Sequence, residues 1–144
     1  MRLLLIAAAF AGLALTVMGA MGGHAPPTLS GAQADSVWVF DQRAWQSASV
    51  FGFAHVLAAL LAATLPLGGR LKLWAGWAFL AGVALFAFSL MIRQLLMARY
   101  VPAAEVDAFT SHYSAFLVAV PFGGVCFMAG WVLLMIAAWR APKA

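Results

Sequence analysis

The sequence predicts an all-α membrane protein: a bundle of four transmembrane helices with a short amphipathic outer-side helix between the first and second spans. Two observations support this prediction. Of the 144 residues, 66% are hydrophobic and only 8% are charged. A spanning helix needs about 20 mostly apolar residues, and four runs of that kind occur, at about residues 3–21, 50–67, 73–92 and 115–139. We expect them to form one integral membrane domain covering residues 1–144.

The first apolar run follows Arg2 and ends near Met21. A positive start, an apolar stretch and small residues also describe a secretory signal peptide. Because the run is longer than the roughly 7–15 apolar residues of a signal core, we expect a retained helix.

The segment from His24 to Ser49 is the most polar part of the chain. Pro26-Pro27 ends the first helix, because proline lacks a backbone donor and restricts the residue before it. Three aromatic residues, Trp38, Phe40 and Trp45, then alternate with charged ones, which suits a helix at the level of the lipid headgroups. The same pattern fits a polar extension of the second span. In either case, the three aromatic side chains are candidates for docking a partner.

Helix breakers from Pro66 to Arg70 predict a turn between the second and third spans. Val101 to Thr110 is expected to be a short loop before the fourth span.

The distribution of charge predicts the orientation of the bundle, because four spans put both termini on one side. That side carries five positive residues and no acidic one: Arg2, Arg70, Lys72, Arg140 and Lys143. The opposite side carries the other arginines and all the acidic residues: Arg43, Arg93, Arg99, Asp35, Asp41, Glu105 and Asp107. Positive residues favour the cytoplasmic side, so we predict that both termini are cytoplasmic. The scattered basic residues form no patch, which argues against a nucleic-acid partner.

Small residues recur at spacings suited to close helix packing. Lipid provides no hydrophobic drive between helices, so close backbone approach must hold a bundle together. We expect six glycines to pack helices: Gly12, Gly19, Gly23, Gly82, Gly123 and Gly130. The alternative is a face for another membrane subunit or for a second copy of this chain.

Four stretches, in order along most of the chain, resemble a known family. They are Gly19-Ala20-Met21-Gly22-Gly23-His24-Ala25, His55-Val56-Leu57-Ala58-Ala59-Leu60-Leu61, Ala75-Gly76-Trp77-Ala78-Phe79-Leu80-Ala81-Gly82 running to Phe86, and Val120-Pro121-Phe122-Gly123-Gly124 leading to Gly130-Trp131. The chain resembles the domain-of-unknown-function family numbered 423, small bacterial four-helix membrane proteins with mitochondrial relatives. The resemblance implies a four-helix protein of the bacterial inner membrane and supplies no established activity. The family tends to have small polar residues and then a tyrosine after Phe86, whereas this chain reads Ala87-Phe88-Ser89-Leu90-Met91. If that polar patch binds a ligand in other members, this chain lacks the residues for it.

Three histidines, His24, His55 and His112, fall on the predicted outer side, with His55 about one to two turns inside the second span. Imidazole is a common ligand of zinc, copper and haem iron, so three histidines meeting at one end of the bundle could hold a metal. The spacing does not require that they meet, and each could instead be bonded locally. His55 is the most interesting, because an ionisable group within a span is costly.

Pro121 lies inside the fourth span and removes the helical hydrogen bond to the carbonyl of Leu117. Broken transmembrane helices can bind ions or substrates through freed backbone groups, although such a kink more often shapes packing. The sequence has no zinc spacing, phosphate loop or nucleophile elbow. We therefore expect neither catalytic residues nor a cofactor, and no enzymatic activity.

Three functions remain open at this point. The first is an accessory or scaffold subunit that packs against a larger membrane complex, possibly a respiratory one. The second is a small oligomeric transporter or channel for a neutral solute. The third is an outer-face metal or haem site built on the histidines.

Overall fold

The computed structural model describes residues 1–22, 36–67, 69–98 and 100–141. Within these residues, four helices are long and apolar enough to cross a membrane: Arg2–Met21, Gln42–Thr64, Leu71–Met97 and Ala115–Trp139. The prediction of a four-span helical protein is confirmed. The second span begins at Gln42 rather than at about Val50, and the third span continues to Met97.

The elements follow one another in a simple up-and-down order. They are α1 (Arg2–Gly22), β1 (Ser36–Trp38), α2 (Gln42–Thr64), α3 (Leu71–Gly82), a π-helical turn (Val83–Phe88), α4 (Ser89–Met97), β2 (Tyr100–Pro102), a 3-10 turn (Ala103–Glu105), α5 (Val106–His112) and α6 (Ala115–Trp139). The third span consists of α3, the π-helical turn and α4. We call the end with the start of α1, the α2–α3 turn and the end of α6 the terminal side. The end with β1, β2 and α5 is the loop side.

The early start of α2 has a local cause, which is an N-cap at Asp41. Its Oδ1 accepts hydrogen bonds from the backbone N–H groups of Arg43 at 2.9 Å and Ala44 at 3.1 Å. These donors would otherwise lack a partner in the first helical turn. The backbone N–H of Asp41 itself donates to Oε1 of Gln94 at 2.9 Å, which ties the start of α2 to the end of the third span.

The expected short amphipathic helix between the first two spans is not confirmed. Residues 36–38 form β1, which pairs with β2 in antiparallel register, with Ser36 opposite Pro102 and Trp38 opposite Tyr100. Residues 42–49 are the first turns of α2, which is the alternative of a polar extension of the second span. Residues 23–35, the rest of the connection between the first two spans, lie outside the described residues.

The prediction of a plain loop at residues 101–110 is wrong, because this stretch contains β2, the 3-10 turn and most of α5. Val101 of this stretch is buried together with Val39 and Met97, and the rings of Phe109 and Tyr113 pack against these three residues. Apolar side chains in the connection therefore give the loop side a small core of its own.

The main core lies where α2, the third span and α6 meet, with α1 packed against α2 and α3. Its buried side chains are mostly small: Ala8, Ala48, Ala58, Ala59, Ala62, Ala75 and Ala87. Small side chains let helix backbones approach closely, which is how helices associate in lipid. α1 contributes the larger Leu4 and Leu15, which lie against the helix backbones at Gly76 and Gly52.

Candidate functional site

Three phenylalanine–glycine contacts join the third span to the antiparallel α6. On each helix the contacting positions are separated by three and then four residues, so they share one face. The pairs are Phe79 with Gly130, Gly82 with Phe127, and Phe86 with Gly123. We call this set of contacts the α3–α6 seam.

His55 of α2 lies across the middle of this seam. Its ring is stacked on that of Phe127, with centroids 3.6 Å apart and 16° between the planes. The Phe79 ring lies 5.6 Å away in a tilted arrangement. With only 7% of its surface exposed, the imidazole is enclosed by the aromatic side chains of the two neighbouring spans.

Both ring nitrogens of His55 have partners. Nδ1 lies 2.8 Å from the carbonyl oxygen of Phe51, one turn earlier in α2. Nε1 of Trp131 donates to Nε2 of His55 at 3.2 Å. A carbonyl can only accept and an indole N–H can only donate. These partners therefore assign a neutral imidazole with its proton on Nδ1 and an accepting Nε2.

His55 lies near the middle of its span. α2 has 23 residues, which corresponds to about 35 Å at 1.5 Å per residue. His55 is about 20 Å from the loop-side end by the same rise. It is thus deeper than the sequence suggested, because α2 begins at Gln42.

The structure places the other histidines elsewhere or does not describe them. His112 ends α5, is exposed, and has Tyr113 as its ring neighbour at 5.3 Å. The rings around His55 belong to different residues, so His55 and His112 do not share a site. His24 lies outside the described residues. Within the described ranges, no group of three His, Cys, Asp or Glu residues could hold a metal ion.

The candidate packing and kink residues occupy several environments. Gly82, Gly123 and Gly130 form the glycine positions of the α3–α6 seam, and a Cβ built at Gly12 would lie 3.5 Å from a methyl group of Val56. A Cβ built at Gly19 would meet no side chain or other helix within 4 Å in the described part of the chain. Gly23 lies outside that part. Pro121 is exposed on α6, two residues before Gly123.

The candidate docking aromatics form a short chain on the loop side. Trp38 lies 4.9 Å from Tyr100 and 6.3 Å from Phe40, whose ring is 5.4 Å from Trp45. Trp45 is only 3% exposed, so its ring is already covered within the protein. Trp38 and Phe40 are partly exposed and remain accessible to a partner.

Two residues of this region did not emerge from sequence reasoning. Trp131 is the hydrogen-bond donor to His55, and the need of its indole N–H for a partner in lipid was an available signal. Gln94 is completely buried. Its Oε1 accepts from Asp41, whereas its Nε2 has no hydrogen-bond partner among the described residues.

The chemistry open to the His55 centre is limited by this geometry. A metal bound at Nε2 of His55 would have to displace the Trp131 N–H. A proton transferred to Nε2 would point at this same N–H donor. In the described part of the chain, the imidazole contacts aromatic rings, an indole N–H and a backbone carbonyl. The arrangement stabilises helix packing, because each partner satisfies a polar group that would be costly to leave unpaired in lipid.

Comparison with known proteins places the chain in a family. The family described as Protein of unknown function (DUF423) matches residues 18–124. The chain belongs to this family. This confirms the resemblance found in the sequence. The matched region includes all of α2, with His55, and the whole third span, and it ends at Gly124.

Several relatives match almost the whole chain. The UPF0382 inner membrane protein YgdD of Escherichia coli strain K12 is 30% identical over 145 residues, spanning 99% of this chain and 93% of the relative. The UPF0382 membrane protein SAB0533 of Staphylococcus aureus is 27% identical over 141 residues, spanning 97% of this chain and 98% of the relative. No solved structure matches. The chain is a small multi-pass membrane protein similar to bacterial membrane proteins of unknown function.

Proposed function

We propose that this protein is a non-enzymatic accessory subunit that packs against a larger membrane assembly. The closed bonding of His55 supports the proposal most directly: both ring nitrogens are engaged by Phe51 and Trp131 of the same chain. A centre of this kind fixes how three helices pack and presents no unpaired group to a substrate. The surface of such a bundle is then the part available for function.

The surface offers places where another transmembrane helix could pack closely. Gly19 of α1 and Gly124 of α6 have no side chain or other helix within 4 Å in the described ranges. Glycines on an outer helix face allow a neighbouring backbone to approach, which is the usual basis of helix association in lipid. Trp38 and Phe40 add partly exposed aromatic rings on the loop side.

We place both termini in the cytoplasm of a bacterium, at the inner membrane. Among the described residues, the terminal side carries four basic residues, Arg2, Arg70, Lys72 and Arg140, and the acidic residues Asp41, Glu105 and Asp107 belong to the opposite side. Positive residues near the ends of spans favour the cytoplasmic side.

A second candidate is an oligomeric carrier or channel for a neutral solute. It draws on two helix irregularities at the same level of the bundle, the π-helical turn and Pro121. The turn contains Phe86, which contacts Gly123 near Pro121. π-Helical turns and broken helices are frequent at functional sites in membranes.

Affinity purification from the native membrane distinguishes the two candidates. The tagged protein is extracted in mild detergent, and the proteins that co-elute are identified and quantified by mass spectrometry. An unrelated four-span protein with the same tag serves as the control. We expect larger membrane proteins in fixed stoichiometry. A lone monomer or a clean homo-oligomer would contradict the accessory role, and a homo-oligomer would direct attention to flux assays.

A further inference from the structure

A groove of about 500 Å³ opens on the outer face of α3 at the terminal side of the bundle. Its lining residues are Arg70, Leu73, Trp74 and Trp77. They occupy positions i, i+3, i+4 and i+7 and therefore share one helix face. Trp74 is 63% exposed and Trp77 is 41% exposed, so both indole rings lie on the side that faces lipid.

The order of these residues along the helix matches the layers of a membrane leaflet. Arg70 immediately precedes α3, at the end of the span. By the helical rise, Trp74 lies about 6 Å and Trp77 about 10 Å deeper toward the bilayer centre. A cation at headgroup level above two indole rings is the arrangement of an interfacial anchor.

The charge of the groove selects for an anion. In the part of the chain that the structure describes, the Arg70 guanidinium is exposed and has no hydrogen bond or ion pair. The nearby Lys72 is already engaged, because its Nζ donates to the carbonyl of Leu65 at 2.6 Å. The acidic residues that the structure describes, Asp41, Glu105 and Asp107, all lie on the loop side, so none of these carboxylates competes for Arg70.

A second arginine lies at a similar depth. The contact between Phe79 and Gly130 fixes the register of α3 against α6. Arg70 and Arg140 each lie about 14–15 Å from this contact along their helices. Both guanidinium groups therefore belong to the terminal-side headgroup region, where their positive charges add.

We infer that this groove binds an anionic phospholipid, with the lipid phosphate on the Arg70 guanidinium and an acyl chain along Trp74 and Trp77. Guanidinium matches the geometry of a phosphate group through paired hydrogen bonds. The indole rings provide a broad apolar surface for the chain. A zwitterionic lipid gains less here, because its ammonium group would meet no acidic residue among those that the structure describes on this side.

Lipid retention tests the charged end of the site. Wild-type protein, Arg70→Gln and Arg43→Gln are purified in detergent with equal amounts of phosphatidylglycerol and phosphatidylcholine, and the bound lipid is identified by native mass spectrometry. Arg43 is the control, since it is exposed on the loop side at the start of α2. We expect wild type and Arg43→Gln to retain phosphatidylglycerol with about a fivefold preference. Arg70→Gln should lose this preference for phosphatidylglycerol.

Tryptophan quenching tests the apolar end of the site. Wild type and the double variant Trp74→Phe/Trp77→Phe are placed in phosphatidylcholine vesicles containing a small fraction of either lipid with brominated chains. Brominated phosphatidylglycerol should quench the wild type more than brominated phosphatidylcholine does. This extra quenching should disappear in the double variant, because the quenched rings are gone.

The proposal fails under any of three results. The wild type could retain both lipids equally, Arg70→Gln could keep the preference, or the extra quenching could persist in the double variant. Folding of each variant is checked by the thermal labelling of Cys126, the single cysteine of the chain. If Arg70→Gln does not fold, the same comparison is made with Arg70→Lys, which should keep part of the preference. An unaltered preference there would overturn the proposal, because lysine cannot form the paired hydrogen bonds that a guanidinium makes with a phosphate.

Discussion

Alanine at Gly123 would place a methyl group against the backbone of the third span. A Cβ built at this position lies 2.6 Å from the backbone nitrogen of Phe86, 2.7 Å from its Cβ and 3.0 Å from the carbonyl carbon of Leu85. Flexible side chains can rotate away from such a contact, but these atoms belong to a helix backbone or are attached directly to it. The helices themselves must therefore move.

The size of the movement follows from the distances. Ordinary van der Waals contact begins at 3.4 Å, so the closest pair must part by the difference between 3.4 and 2.6 Å, which is about 0.8 Å. A gap of this size removes about a quarter to a half of the attraction between neighbouring atoms. The loss extends to the contact of Gly82 with Phe127. Overpacking a core typically costs about 1–3 kcal/mol, and we expect about 2–3 kcal/mol here.

The free energy of unfolding can be measured by titrating the purified protein with sodium dodecyl sulfate in mixed micelles. Cys126 lies in α6, close to Gly123, and is half-buried. A thiol-reactive dye therefore reports when this part of the bundle opens. A shift of the transition to lower dodecyl sulfate is the expected result for Gly123→Ala.

The adjacent Gly124 provides the matched control. In the described part of the structure, no side chain or other helix lies within 4 Å of a Cβ at Gly124, and alanine is a better helix former than glycine by about 1 kcal/mol. Gly124→Ala should be as stable as the wild type or slightly more stable. If the two alanine variants have the same stability, the close approach of α6 to the third span is wrong.

The bond between His55 and Trp131 should give a coupling energy of about 1 kcal/mol in a double-mutant cycle of His55→Phe and Trp131→Phe, because the phenylalanines retain stacking and remove the hydrogen bond. Strictly additive losses of unfolding free energy would refute it. Asp41→Ala should cost about 1 kcal/mol through loss of the N-cap of α2, whereas Asp107→Ala, exposed on α5, should change stability by less than about 0.5 kcal/mol; equal effects would argue against the cap. A reporter fused after Lys143 should be active only in the cytoplasm, and activity outside the inner membrane would reverse the orientation.

The spans were predictable because the bilayer imposes a length of about 20 apolar residues. The apolar run alone predicts a start near Val50, because residues 42–49 are too polar to be counted as apolar span, and the sequence left open that they extend α2. Asp41 was an available signal, since aspartate is a preferred N-cap residue. The strand pair was missed because Ser36–Trp38 and Tyr100–Pro102 have only three residues each, too few for an alternating pattern to be recognised.

The candidate site was only partly predictable, for a different reason. His55 could be singled out because an ionisable side chain in a span is costly. Its donor, Trp131, lies 76 residues later in the chain, and no local pattern specifies which faces of distant helices meet. Gln94 follows the apolar part of the third span, so its position resembled an interface rather than a buried site.

The π-helical turn at Val83–Phe88 also determines which residue of α4 points inward. A turn of this kind accommodates about one additional residue, and each residue of an α-helix rotates by about 100°. The buried amide of Gln94 thus occupies the angular position that an uninterrupted helix would give to Arg93. If one residue were deleted and the turn became α-helical, Gln94 would still point inward. If the turn became α-helical without a deletion, Arg93 would point into the bundle instead. The irregular turn works as a phase correction between the two halves of the span.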